Sequence, residues 1–304
     1  MDKKKKIVIA CILLLILAFL FSLTTREQSE EKNIVIATTT YPLYDIAKQV
    51  GGERAEVLEI IPFQSNPHTY NPSILIVNRI KGVDVLIYNG AGLETWVEDA
   101  RESLESEGVV LLDSSSYFRA MEYPSLDGDS YYKNPYTWLD PLMVKEKVNI
   151  ITKTLIEVDP EGGEYYRENS RRVVARLEEL HIRYRNSLKN CSKKYVLASH
   201  GFLDYIAKRY SFHALSGMKN PPSSRMTSEE RDLIVESIGG RDVEHFLYDN
   251  LISSWNVGSI SSATNTEGIR FNSLIAIGRE DREEGYFEIM RENLKVLKEV
   301  LDCR

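Results

Sequence analysis

Apolar and polar positions divide this chain into three regimes. At the start, Lys3 to Lys6 precede an apolar run from Ile7 to Leu23, interrupted only by Ser22, and a polar stretch from Thr24 to Asn33 follows. That is the pattern of a secretion signal or a membrane anchor. As a helix the run would be roughly 25 Å long at about 1.5 Å per residue, usable for a bilayer core near 30 Å. No small-x-small cleavage site follows Phe21, and Cys11 stands too early in the run for a lipid-acceptor cysteine. The reading is therefore a retained N-terminal anchor, with cleavage as the second. The lysines stay cytoplasmic, and the chain beyond the run lies outside.

In the second regime short β-branched runs alternate with amphipathic stretches: 34–37, 42–50, 55–61, 73–81, 83–88, 93–104 and 109–113. Such alternation predicts an α/β fold with a parallel sheet covered by helices. Asn71 and Pro72 read as the cap and first residue of a helix just after His68. A polar loop rich in Tyr, Ser and Asp spans 114–134. Helical spacing then returns over 142–158 and, after Asp159-Pro160-Glu161-Gly162-Gly163, over about 164–189. In that long helix Val173, Leu177, Leu180 and Tyr184 form one narrow apolar stripe among many charges, which suits a helix lying along two lobes.

In the third regime the α/β rhythm repeats over 195–198, 202–210, 212–215, 228–238 and 243–248 and ends in a helix over 283–301. The expected organisation is an anchor and linker over 1–32, an N-terminal α/β lobe over 33–160, a connecting long helix over 161–191 and a C-terminal α/β lobe over 192–304. Both lobes are Rossmann-like, with a cleft between them.

Composition narrows what such a chain can do. Its 304 residues carry 38 basic and 45 acidic side chains, a net charge of -7, and no basic stripe, so nucleic-acid binding lacks its electrostatic footing. Three cysteines without a Cys-x-x-Cys pair leave any metal to His, carboxylate or weaker oxygen ligands. Outside the cell Cys191 and Cys303 can pair, tying the last helix to the start of the second half, or remain free. Neither a Gly-x-Ser-x-Gly elbow nor a Gly-rich phosphate or dinucleotide loop occurs, so enzymatic readings lack their signatures.

Five histidines differ in context. His181 lies in the charged helix, and His213 and His245 lie in or beside short apolar runs, where structural roles are the usual outcome. His68 and His200 each sit at a strand end before a helix, where open α/β sheets bind ligands.

The ordered motifs Thr40-Tyr41-Pro42-Leu43, Asn66-Pro67-His68-Thr69-Tyr70, Tyr88 to Trp96, Trp138-Leu139-Asp140-Pro141, Ser199-His200-Gly201-Phe202 and Tyr286 to Leu294 resemble those of the extracytoplasmic solute-binding proteins of zinc and manganese ABC importers, an adhesin-related group. The resemblance covers nearly the whole chain after residue 33. It implies a non-enzymatic monomer that captures zinc or manganese between two lobes and delivers it to a membrane permease. Of the four ligand positions, His68 matches the first and His200 the third. The histidine expected in an Asp-Pro-His-x-Trp-Leu-Asp-Pro motif is Tyr136 in Asn134-Pro135-Tyr136, and the expected aspartate falls by spacing on Asn272, with Asp249 as a possible replacement. A neutral phenol is a poor zinc ligand, an amide oxygen suits manganese better than zinc, and tyrosinate suits ferric iron, so the ion stays open among the three. The alternative is a divergent member that has lost tight metal binding and serves as a surface interaction or adhesion protein.

Overall fold

The computed structural model describes residues 33–124, 131–216 and 226–304; the anchor expected over 1–32 lies outside them. Among the described residues no helix is long and apolar enough to cross a membrane. Residues 34–304 form one compact unit built on two four-stranded parallel sheets.

The first sheet comprises β1 (Ile34–Thr38), β2 (Ala55–Glu59), β3 (Val85–Tyr88) and β4 (Val110–Asp113), in the order β2-β1-β3-β4. Its two central strands read Ile-Val-Ile-Ala-Thr and Val-Leu-Ile-Tyr, the near-continuous apolar runs of strands covered on both faces. Helices α1 (Tyr41–Gly51), α2 (Ile74–Ile80) and α3 (Thr95–Glu105) connect them. Helix α2 begins two residues later than Asn71-Pro72 predicts. The chain stays extended through Ser73 (ψ 160°), whose carbonyl accepts the first helical hydrogen bonds from Ile76 and Val77.

The polar stretch 114–134 is not wholly a loop. Glu122–Pro124 (β5) and Tyr131–Lys133 (β6) pair antiparallel. Helix α4 (Pro141–Val158) follows, capped by the Asp140 carboxylate, which accepts from the Leu142 amide.

The long helix α5 runs over Gly163–Ser187. Val173, Leu177, Leu180 and Tyr184 are all buried, while Glu164–Arg167, Glu168–Arg171 and Glu179–Arg183 pair along its exposed face at spacings of three or four. Its stripe joins one hydrophobic core that contains Ile36, Val85 and Val148 from the first half and Val196, Phe202, Leu247 and Leu297 from the second.

The second sheet comprises β7 (Tyr195–Ala198), β8 (His213–Leu215), β9 (His245–Tyr248) and β10 (Glu267–Arg270), in the order β10-β9-β7-β8. Helices α6 (Asp204–Tyr210), α7 (Ser228–Ile238) and α8 (Ser254–Thr264) accompany it. The predicted terminal helix is two: α9 (Arg279–Glu284) and α10 (Tyr286–Val300), parted at Gly285, whose φ of 82° takes the chain out of helix at little steric cost. After α10 a disulfide joins Cys303 to Cys191, beside the hydrogen bonds Ser192 N–H to Asp302 O and Lys193 N–H to Leu301 O.

Candidate metal centre

Loops at the carboxyl ends of β2, β7 and β9, together with the one after β6, bring four polar side chains close to one another. His68 lies in the loop after β2, its amide held by the Asn66 side chain at 3.0 Å. Tyr136 follows β6, with its amide donating to Asn134 Oδ1 at 2.9 Å. His200 follows β7, its Nδ1 3.0 Å from Ser199 Oγ. Asp249 follows β9, with Oδ1 accepting from the Leu251 amide and Oδ2 from Ser273 Oγ at 2.6 Å.

The two histidines converge on one phenolic oxygen, with Asp249 beside one of them. Tyr136 Oη lies 3.1 Å from His68 Nε2 and 2.8 Å from His200 Nε2, and Asp249 Oδ2 lies 3.6 Å from that same His200 nitrogen. Adjacent corners of a tetrahedron around an ion with bonds of 2.0–2.1 Å are about 3.3 Å apart, so the spacings bracket those of neighbouring ligands. Tyr136 and His200 are 0% exposed and Asp249 is 1% exposed; His68 alone keeps partial exposure. Trp138 and Phe202 wall the group at ring separations of 5.2 Å from Tyr136 and 5.0 Å from His200.

Burial sets the charge states. Desolvation lowers the His68 imidazole to about 3, assisted by His200, and lowers His200 to about 3, leaving both neutral with nitrogen lone pairs to offer. Burial raises Asp249 to about 6 against the hydrogen bond from Ser273, and pushes Tyr136 well above 10, assisted by the nearby Asp249.

Asn272, expected at the fourth position, is engaged within its own loop. The Asn272 carboxamide oxygen accepts from the Leu274 amide, and its main chain is bound in both directions by the Asn293 side chain, so it serves the loop. Asp249 stands beside His200 because β9 pairs with β7: Ala198 is level with Leu247, and two residues on His200 is level with Asp249. Strand β10, which precedes Asn272, lies one strand further out. Among the described residues no group of three His, Cys, Asp or Glu side chains is placed to hold a metal ion.

A family model described as ZnuA, zinc-uptake complex component A, periplasmic, matches residues 36–300. The chain belongs to this family. Its members are metal-binding solute-binding proteins and not enzymes, and the two-lobed α/β architecture is theirs. The chain is 26% identical over 277 residues to the high-affinity zinc uptake system protein ZnuA of Bacillus subtilis, covering 88% of this chain and 87% of that one. It is 25% identical over 280 residues to the zinc-binding lipoprotein AdcA of Streptococcus pneumoniae, spanning 88% of this chain but only 56% of AdcA. A zinc-bound crystal structure of an AdcAII variant from Streptococcus pneumoniae superposes with a TM-score of 0.79 at 26% identity, covering 89% of this chain and 99% of that one.

Two features of this family member escape motif reading. Behind Tyr136, the buried Glu94 carboxylate accepts from Thr39 Oγ1 and from the Asn89 and Gly90 amides, while Lys147, 2% exposed, donates to Asn89 Oδ1 and Ser114 Oγ. Burial raises Glu94 and lowers Lys147 to about 7. The Asn89 amide group in turn donates to Pro135 O, next to Tyr136. A signal for Lys147 exists: it falls among Val144, Val148, Ile151 and Leu155, on the buried face of α4. The remaining histidines are structural. His181 Nδ1 meets Tyr210 Oη at 3.1 Å, His213 stacks on Tyr195, and His245 lies 3.9 Å from Glu244.

Proposed function

We propose that this protein is the extracytoplasmic receptor of a metal importer, taking a transition-metal cation between its lobes and passing it to an ABC permease in the membrane. The observation that carries this reading is the convergence of His68, Tyr136, His200 and Asp249 at ligand spacing in a closed, aromatic-walled cleft. The two neutral imidazoles and the carboxylate are donors of the kinds zinc takes, the ion named for the relatives, and Tyr136 is the fourth group beside them. The phenol is the departure. It serves zinc poorly while protonated and serves ferric iron well once ionised, so Tyr136 decides between these ions. A tether at residues 1–32 keeps the receptor near its permease by raising its local concentration.

The test is metal-dependent melting of the chelated protein reloaded separately with zinc, manganese and ferric iron. An ion that binds only the folded state adds about 2.7 kcal/mol at ~100 Kd. A shift with one ion that vanishes in the His68→Ala/His200→Ala double variant supports the reading. No shift with any of the three refutes it.

A further inference from the structure

Two of the four donors, Tyr136 and His200, come from opposite halves of the chain, and one side chain joins their backbones. Asn134 is fully buried; its Oδ1 accepts from the Tyr136 amide at 2.9 Å, and its Nδ2 donates at 2.7 Å to the carbonyl of Gly201, the residue after His200. The same NH2 group lies 3.3 Å from Asp204 Oδ2. The main chain of Asn134 is fixed separately, its amide donating to Met121 O and its carbonyl accepting from Tyr205 Oη at 2.9 Å.

We propose that Asn134 is a positioning residue that sets the distance between the Tyr136 oxygen and the His200 nitrogen, and with it the coordination geometry offered to the ion; this rests on the metal-receptor reading above. A carboxamide suits the task because it accepts and donates on opposite sides at once. A carboxylate keeps the bond from the Tyr136 amide but turns a second oxygen toward Gly201 O and Asp204 Oδ2, where it has no proton to give. Groups that orient metal ligands in this way are worth about 10 to 100-fold in metal affinity.

The experiment compares the full-length protein with Asn134→Asp and with Tyr205→Phe, which removes a bond to the Asn134 main chain and leaves the carboxamide alone. Each is titrated with Co(II), whose visible ligand-field absorption weakens as coordination number rises, and each is also melted. Asn134→Asp is expected to lose about tenfold or more in affinity and to show an altered band at saturation. Tyr205→Phe is expected to melt lower with the saturated spectrum unchanged. An Asn134→Asp spectrum and affinity equal to wild type overturn the proposal while leaving the receptor reading intact, and so does an equal spectral change in Tyr205→Phe. Absence of any Co(II) band in the wild type overturns the proposal, while the receptor reading stands or falls by the melting series with zinc, manganese and ferric iron. Should Asn134→Asp fail to fold, Asn134→Ser poses the same question, because its hydroxyl reaches the amide two residues on but not Gly201 O.

Discussion

The hydroxyl of Tyr136 holds the cleft together before any ion arrives, and Tyr136→Phe isolates that contribution because it deletes one oxygen and leaves no cavity to collapse. The deleted atom is within hydrogen-bond distance of two imidazole nitrogens, His68 Nε2 at 3.1 Å and His200 Nε2 at 2.8 Å. A hydroxyl gives one proton and accepts another, so its loss strips one partner from each ring. Leaving a buried polar group unpaired costs about 1–3 kcal/mol, and His68 recovers part of this through its partial exposure, so the loss is set at about 2–4 kcal/mol. The assay is urea unfolding of chelated protein, read as the midpoint shift multiplied by the slope. Tyr184→Phe is the internal control. Its hydroxyl makes a single bond, to Met290 O, in an equally buried site, and its removal is expected to cost about 1 kcal/mol. Equal losses for the two variants, or a more stable Tyr136→Phe, would refute the assignment of Tyr136 as the bridge between the histidines.

Opening the disulfide, whose partners are 112 residues apart, is expected to cost about 4.8 kcal/mol by chain entropy, equally by Cys303→Ser or by reductant; a chemical-denaturation loss under about 2 kcal/mol contradicts this. Acid should drain stability from the metal-free protein between pH 6.5 and 3, where the unfolded chain protonates its histidines while His68 and His200 stay neutral near 3. Asp249, raised from 3.8 to about 6, opposes this by gaining as pH falls through that interval, so Asp249→Asn should steepen the decline, and a pH-independent midpoint speaks against the buried neutral histidines. Glu94→Ala leaves the Asn89 and Gly90 amides and the Thr39 hydroxyl without their acceptor and removes the negative charge that offsets the buried Lys147, and is expected to cost about 3 kcal/mol or more; Glu94→Gln removes the same charge but keeps an acceptor oxygen and is expected to lose less, and equal losses would show that the charge and not the hydrogen bonds carries the contribution.

The fold was legible where periodicity is strong. The central strands and α5 stand at their expected places because their apolar runs are long and unbroken. Helix α8, Ser-Trp-Asn-Val-Gly-Ser-Ile-Ser-Ser-Ala-Thr, has almost no amphipathic character and few helix formers, so nothing local announces it, and β10 behind it was missed too. At the site His68, Tyr136 and His200 declare themselves by motif. Spacing along the chain points to Asn272, but spacing cannot see strand order. The register that sets Asp249 beside His200 becomes visible only once β9 is known to lie between β10 and β7. Asn134 stands in the motif around Tyr136, yet its bond to Gly201 spans 67 residues and leaves no trace in local pattern.

The shared core described above also limits how such a protein can open. A binding protein with two independent cores can swing about a hinge and lose little, but here Val85 and Leu247 belong to the same apolar interior, stitched along α5. Prying the halves apart would expose that interior to water at about 25 cal/mol for each Å². The segments on top could move without that cost. The Gln64 amide meets Ile277 O across the cleft, and Gln64, Leu274 and Ala276 all carry positive φ, a conformation that non-glycine residues give up readily when a contact is released. If these short segments are what moves, the body behind them acts as a rigid mould, and hydrogen exchange is expected to be faster at the Gln64 and Ala276 amides than in α5.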